Sequence, residues 1–373
     1  LPGPNRNIPL CRDWRKAKSS AARSRRGSMV QKHWSQVELL HETVSNPNIH
    51  VRGTHSYYSH AWTGSFEESV VRYLYGDEYS RKAWTSQWPV DQLHIGDYVC
   101  IGAEAVILMG GNHTHRMDWF SLYPFVDKIT DAYVGKGDTH IHDGAWIGMR
   151  AMIMPGVVIG EEVVLGERCI IDAGAVLHDR VSVGDDCRIH SNVVIHHDCV
   201  LGDRVNICAG AIIGADGFGF ANDRGCWQKI YQLGRVVIGN DVDIGANTTI
   251  DRGALEDTEI HDQVIIDNQV QIAHNVVVGQ GTAIAACCGI SGSSRIGRYC
   301  ILAGGVGLVG HIEICDHVQI TGMTMVTKSI TEPGSYSSGT AFDHTDKWKK
   351  MAVRLRRLDD LASRVRSLEQ GNS

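Results

Sequence analysis

The chain has 373 residues with a formal net charge of −6, 41 glycines, 43% hydrophobic residues and only 7% aromatics. No long run of one charge sign is present, which argues against a nucleic-acid surface. No stretch approaches the roughly 18 apolar residues of a membrane span. High glycine with few aromatics suits a solenoid of small turns and stacked aliphatic side chains. The 11 cysteines form no CxxC pair, so they read as reduced thiols in a cytoplasmic protein.

In chain order, residues 1–28 come first. They are basic and Ser-rich around Arg23, Arg25 and Arg26 and lack the apolar core of a secretory signal. They read as a disordered leader or as appended sequence ahead of Met29, with a transit-like peptide as the alternative. A first hexad fragment follows at Ile95, Ile101 and Ile107. From Ile141 every sixth residue is aliphatic through Ile213, and the phase resumes at Ile238, Ile244 and Ile250. It runs again from Ile260 to Val326. A helix would need a period near 3.6, so a six-residue period excludes it.

Three hexads make one triangular coil with the aliphatic residue inward, and coils stack at about 4.8 Å. The residue after the aliphatic one is usually Gly or small, and is expected to accommodate the tight turn. Cys169, Cys187, Cys199, Cys208, Cys300 and Cys315 fall inside the repeat as small hydrophobes. Three excursions interrupt it: Leu108–His140, Gly214–Val236 and Asp251–Glu259. Long loops leaving a rigid solenoid are where specificity is usually built. The tail from Lys347 to Leu368 spaces apolar residues among Arg and Lys and predicts one amphipathic helix packing in an oligomer.

Two stretches carry family resemblances. NPNIHVRGTHSYYS, GGNHTHRMDWFSLYPF and KGDTHIHDGAWIGMRAMIMPGVVIG, between about Asn46 and Gly160, resemble hexapeptide-repeat xenobiotic acetyltransferases acting on chloramphenicol and streptogramin. GADGFGFANDRG, LGRVVIGNDVDIGANTTIDRGAL, VIIDNQVQIAHNVVVG, GHIEICDHVQITGM and ITEPGSYSSG, from about Glu161 onward, resemble UDP-3-O-(3-hydroxyacyl)glucosamine N-acyltransferases of lipid A synthesis. The resemblance implies an all-β, left-handed parallel β-helix with excursion loops and a C-terminal α-helix, assembled as a homotrimer. The uridine-binding domain usual in the second family does not precede Glu161. The organisation expected is a leader at 1–28, an acetyltransferase-like segment at 29–160 with a long loop at 108–140, an N-acyltransferase-like segment at 161–330, and an extension at 331–373. The change of family near Gly160 reads as a recombination at a repeat boundary, which coil stacking tolerates.

Acyl transfer from a thioester needs a base for the attacking group and donors for the oxyanion. Histidine suits the first role, but most of the 19 histidines must be ordinary surface residues, among them His142, His190, His196 and His197 at repeat turns. The resemblance makes His274 the base, the Gly292 N–H the oxyanion donor and His311 a second active-site histidine. It makes Asn275 and Asp267 substrate-binding. It also puts Met325 at the acyl-length limit, against the alternative of a plain core methionine. In the first segment it makes His115 a base and Trp146 part of an acetyl-CoA site. The pair His113 and His115 also suggests a metal, but no carboxylate or cysteine cluster supports one, so no metal is expected.

The activity implied is transfer of a 3-hydroxyacyl group from the phosphopantetheine thioester of acyl carrier protein to the 2-amine of a UDP-3-O-acylglucosamine. The groove for that arm would lie between subunits, and Lys349, Lys350, Arg354, Arg356 and Arg357 would suit an acidic carrier protein. The alternatives are an acetyl-CoA-dependent antibiotic acetyltransferase and an inactive trimeric scaffold.

Overall fold

A computed structural model describes residues 37–60, 64–75, 89–110, 135–340 and 342–370. The hexads close into a triangular parallel β-helix with three faces of twelve strands each. Face one contains Thr139–Ile141, face two Trp146–Ile147 and face three Met152–Ile153. The chain visits the faces in that order, coil after coil, so it turns three corners per coil. Met152 pairs with Ile170 and Val164 with Ser182, an 18-residue step that is the three-hexad period. At the N-terminal end one antiparallel strand, Val37–Leu39, pairs with Tyr57–Ser59. The strands Ile49–Val51, Tyr57–Ser59 and Val71–Arg72 form a coil that the hexad period does not reveal, because their spacing is irregular.

Two residues per hexad point inward. One is the aliphatic residue, such as Ile147, Ile153 and Leu165. The other is a small residue two positions earlier, such as Ala145, Ala151 and Val163; all six are fully buried. Cys169, Cys187, Cys199 and Cys300 occupy this second slot and are buried, whereas Cys208 and Cys315 are half-buried. Thr282 and Ser294 share the slot. Each donates to a carbonyl of the next coil, Thr282 Oγ1 to Gly297 O at 2.8 Å and Ser294 Oγ to Val309 O at 3.0 Å. Cys169 Sγ does the same to Gly184 O at 3.0 Å. A polar atom is tolerated here because it finds a partner. The ten cysteines among the described residues are free thiols.

Glycine directly after the aliphatic residue does not turn the chain as expected. The left-handed residue lies three positions after the aliphatic one: Arg168, Asp186 and Arg204 all have φ of 56°. Glycine directly after the aliphatic residue is concentrated on the corner between faces two and three, at Gly148, Gly166, Gly184 and Gly202. Its reason is close approach of coils, since a Cβ on Gly166 would sit 2.3 Å from Gly184 O. The left-handed residues carry the exposed charge ladder instead. Arg168 grips Asp186 one coil on at 2.6 and 2.7 Å, and Arg180 grips Asp198 at 2.7 and 3.1 Å.

Excursions appear as lengthened steps. Cys100 pairs with Trp146, Val200 with Val237 and Val237 with Glu259. The second excursion carries an exposed antiparallel hairpin, Phe220–Asp223 with Cys226–Lys229. Pairing of Val158–Ile159 with both neighbouring coils is regular, so the stacking register runs unchanged through Gly160. The tail corrects the single-helix expectation. It forms two helices, Thr345–Arg356 and Leu358–Gln370, broken at Arg357, and neither buries a residue. Among the described residues no helix is long and apolar enough to cross a membrane.

Gly166→Ala is expected to cost about 1–3 kcal/mol by overpacking adjacent coils, read as a lowered denaturant midpoint. The Asp198 carboxyl is held down at about 2, chiefly by its hydrogen bonds from Arg180, against burial. Its contribution is therefore complete above the ordinary carboxylate value of about 3.9 and is lost as pH falls through about 2. Asp198→Asn should lower Tm slightly near neutral pH, the pair being solvent-screened. That difference should vanish in melts near the acid end.

Candidate active site

The corner between faces one and two carries His274, two residues after the inward Ile272. The ring is half-buried, and its Nδ1 lies 3.0 Å from Asn275 Oδ1. An amide oxygen only accepts, so Nδ1 carries a proton, and the neutral ring presents its lone pair on Nε2. Asn275 is itself held at three points. Its Oδ1 accepts from Ala254 N at 3.0 Å, its Nδ2 donates to Glu256 O at 2.9 Å, and its N donates to Thr258 Oγ1 at 2.8 Å. The Asp251–Glu259 excursion thus exists locally as a brace for this corner.

Gly292 lies one coil on. A Cβ there would sit 2.7 Å from both Cε1 and Nε2 of His274, so only glycine lets the backbone meet the ring. At two other coils of the same corner the following coil's carboxylate caps the equivalent N–H: Asp97 N donates to Asp143 at 2.7 Å and Glu161 N to Asp179 at 3.0 Å. At Gly292 the following coil presents Gly310, which has no side chain. Among the described residues the Gly292 N–H donates to no protein group. A free lone pair and a free donor therefore stand side by side, which is what addition to a carbonyl requires. Gly217 covers the other side, with a Cβ position 2.8 Å from His274 Cβ.

His311 is exposed at the next coil of this corner, its N donating to Gly292 O at 3.1 Å. Met325 is not a core residue: it is 55% exposed on the outer side of face one. In register above it are Gly307, Gly289 and Gln271. A Cβ on Gly289 would meet nothing within 4 Å, and one on Gly307 would meet Met325 Sδ at 3.1 Å. The result is a bare strip two coils long, beside Gly292 and stopped by Met325.

Asp267 does not join His274 within one chain. It sits on the corner between faces three and one, where its carboxylate accepts from Asn268 N at 2.7 Å and Ala286 N at 3.2 Å. Trp146 is 43% exposed on face two, six coils or about 29 Å from His274 along the axis. His115 lies outside the described residues.

Two residues of this corner escaped the sequence reading. Asp251 is half-buried, and burial pushes its carboxyl up, countered by Gln271 and by the nearby His274; Gln271 Nε2 donates to it at 2.9 Å. Arg252 is 2% exposed and donates from Nε to Gly234 O at 2.7 Å and from Nη2 to His197 O at 3.0 Å, pinning the long excursion to the corner. The available signal was an Asp-Arg pair interrupting an apolar repeat.

Comparison with known proteins finds the bacterial transferase hexapeptide (six repeats) family at residues 138–173, 162–197, 180–215 and 257–292. This matches the left-handed β-helix reading of the fold. The chain is similar to a UDP-3-O-acylglucosamine N-acyltransferase of Hahella chejuensis, 64% identical over 163 residues, 44% of this chain and 47% of the relative. A protein of the same name from Pseudomonas aeruginosa (strain LESB58) is 60% identical over 162 residues, 43% of this chain and 46% of the relative. The similarity lies in the C-terminal half, and the chain spans about half the length of these relatives. A UDP-N-acetylglucosamine acyltransferase structure from Bacteroides fragilis superposes with a TM-score of 0.42 at 23% identity, over 54% of this chain and 69% of that one.

Asn275→Ala removes the acceptor for Ala254 and the donor to Glu256. It is expected to cost about 1–3 kcal/mol and to open residues 251–258 to limited proteolysis. Asn275→Asp, which keeps the acceptor, should recover part of that protection.

Proposed function

We propose that the chain is an acyltransferase that moves a 3-hydroxyacyl group from the phosphopantetheine thioester of acyl carrier protein to the 2-amine of a UDP-3-O-acylglucosamine. The observation that carries this reading is the pairing of the His274 lone pair with the uncapped Gly292 N–H, within a half similar to enzymes of that name. The sugar amine attacks the thioester carbonyl, forming the C–N bond while His274 Nε2 takes the amine proton. The Gly292 N–H donates to the developing oxyanion. Collapse breaks the C–S bond, and the proton on His274 passes to the departing thiolate. The glycine strip on face one would receive the acyl chain, with Met325 limiting its length, and His311 would contact substrate from the next coil.

Two features favour a homotrimer as the working form. Asp267 and His274 occupy different corners of one coil, so a shared site would join corners of neighbouring copies. The terminal helices leave Leu355, Leu358 and Leu361 each at least half exposed, an apolar face suited to other copies. The same tail carries Lys349, Lys350, Arg354, Arg356 and Arg357, whose charge fits an acidic carrier protein. In this reading residues 161–330 carry the chemistry, and 29–160 supply additional coils with an acetyltransferase-like ancestry.

A paired assay tests it: thiol release from 3-hydroxyacyl carrier protein with UDP-3-O-acylglucosamine, and separately from acetyl-CoA with chloramphenicol. The first is expected to proceed, and His274→Ala to reduce kcat by about 10²–10⁴-fold. An unchanged rate in that variant would overturn the reading. Turnover of acetyl-CoA alone, abolished by His115→Ala, would replace it with the antibiotic acetyltransferase. Activity in neither assay would leave a trimeric scaffold.

A further inference from the structure

We infer that His94, Asp138 and His140 form a binding site for a divalent transition cation of the Zn²⁺ class. His94 and His140 sit on the outer side of face one with Asp138 just before its strand, six to seven coils or about 29–34 Å from His274, and none takes part in the chemistry above. His94 pairs in register with His140 on the next coil. One ligating atom from each of the three residues lies within 4.8 Å of the others. One edge, His94 Nε2 to Asp138 Oδ2, is 3.5 Å. A tetrahedral ion with bonds of 2.0–2.1 Å requires edges of about 3.4 Å, so this edge is already set. The other two edges lie within 4.8 Å and would shorten on binding.

The carboxylate is oriented for the role. Asp138 Oδ1 accepts from Gln92 N at 2.8 Å, which leaves Oδ2 facing the imidazoles. Such an outer hydrogen bond is how ligating carboxylates are commonly fixed. The same Gln92 accepts, through Oε1, a contact of 2.9 Å from His50 Nε2. His50 stacks on His94 at 4.9 Å but is thereby committed elsewhere, so the donor set is two imidazoles and one carboxylate. Burial, and secondarily the neighbouring His94, hold the His140 imidazole below its ordinary pKa.

Two nitrogens with one oxygen select a borderline cation over Mg²⁺ or Ca²⁺, which demand oxygen shells. A cavity of about 450 Å³ opens over His50, His94, His140 and His142, with room for water as the fourth ligand. Bound there, the ion would staple two successive coils to Asp138, at the close of the long Leu108–His140 excursion. The competing description is a solvated stack of imidazoles, His94 on His140 at 4.6 Å and 5°, with one incidental ion pair.

The two descriptions part under titration of the chelator-treated full chain with Co²⁺, followed by visible absorption, and with Zn²⁺ in competition. The site predicts one equivalent per chain with the intense bands of a four-coordinate ion. His94→Ala, His140→Ala and Asp138→Asn should each weaken binding at least about tenfold. Asp138→Asn keeps an acceptor for Gln92 N, so it removes the charge without removing the brace, and far-UV dichroism checks that each variant is folded. His178→Ala, in the separate stack with His196, should bind as wild type. No saturable binding, unchanged affinity in His94→Ala and His140→Ala, equal loss in His178→Ala, or Mg²⁺ binding as tightly as Zn²⁺ would each overturn the inference.

Discussion

Every feature of this protein hangs on the in-register hydrogen bonding of one coil to the next. Because each inward residue stacks on its equivalent in the next coil, a side chain's corner and face are set by its position in the hexad. The ladder makes the core quasi-one-dimensional: each coil answers only to its neighbours. It also explains where glycine is required. Stacked backbones at about 4.8 Å leave no space for a Cβ on the corner between faces two and three. The left-handed turn residue points outward and accepts Arg or Asp at the cost of some strain.

The candidate active site is an edit of that regular corner. Two coils of this corner, at Asp97 and Glu161, cap the equivalent backbone N–H with a carboxylate from the following coil. Where Gly310 replaces the carboxylate, a donor becomes free, and where Gly292 replaces a side chain, a histidine ring can lie against it. The four-residue lengthening after Asp251 supplies Asn275 with partners that hold the ring's tautomer. Removing side chains, more than adding them, makes the site. The glycine strip ending at Met325 follows the same logic on the adjacent face.

Stacking likewise converts sequence distance into spatial proximity without a local motif. His94 and His140 are far apart in the chain because the long excursion intervenes, yet they occupy equivalent hexad positions and touch. No spacing rule for metal ligands would connect them, which is why reading residues for clusters along the chain missed them. The HTH pair in the same excursion drew attention precisely where the chain signal was local.

By itself the sequence determined the repeat, the inward aliphatic stack, the places of the three excursions and, through resemblance, His274, Gly292 and Met325 as candidates. Those are properties of period and local motif, and period is written directly in the residue order. Tertiary structure alone decided what depends on register between distant coils. It separated Asp267 from His274 onto different corners, exposed Met325 beside a glycine strip, uncapped the Gly292 N–H, and brought Arg252 against His197. It also broke the terminal helix at Arg357 and gathered His94 with Asp138 and His140. The physical reason is that excursions of different length change the step from one coil to the next, so only the folded ladder tells which residues become neighbours.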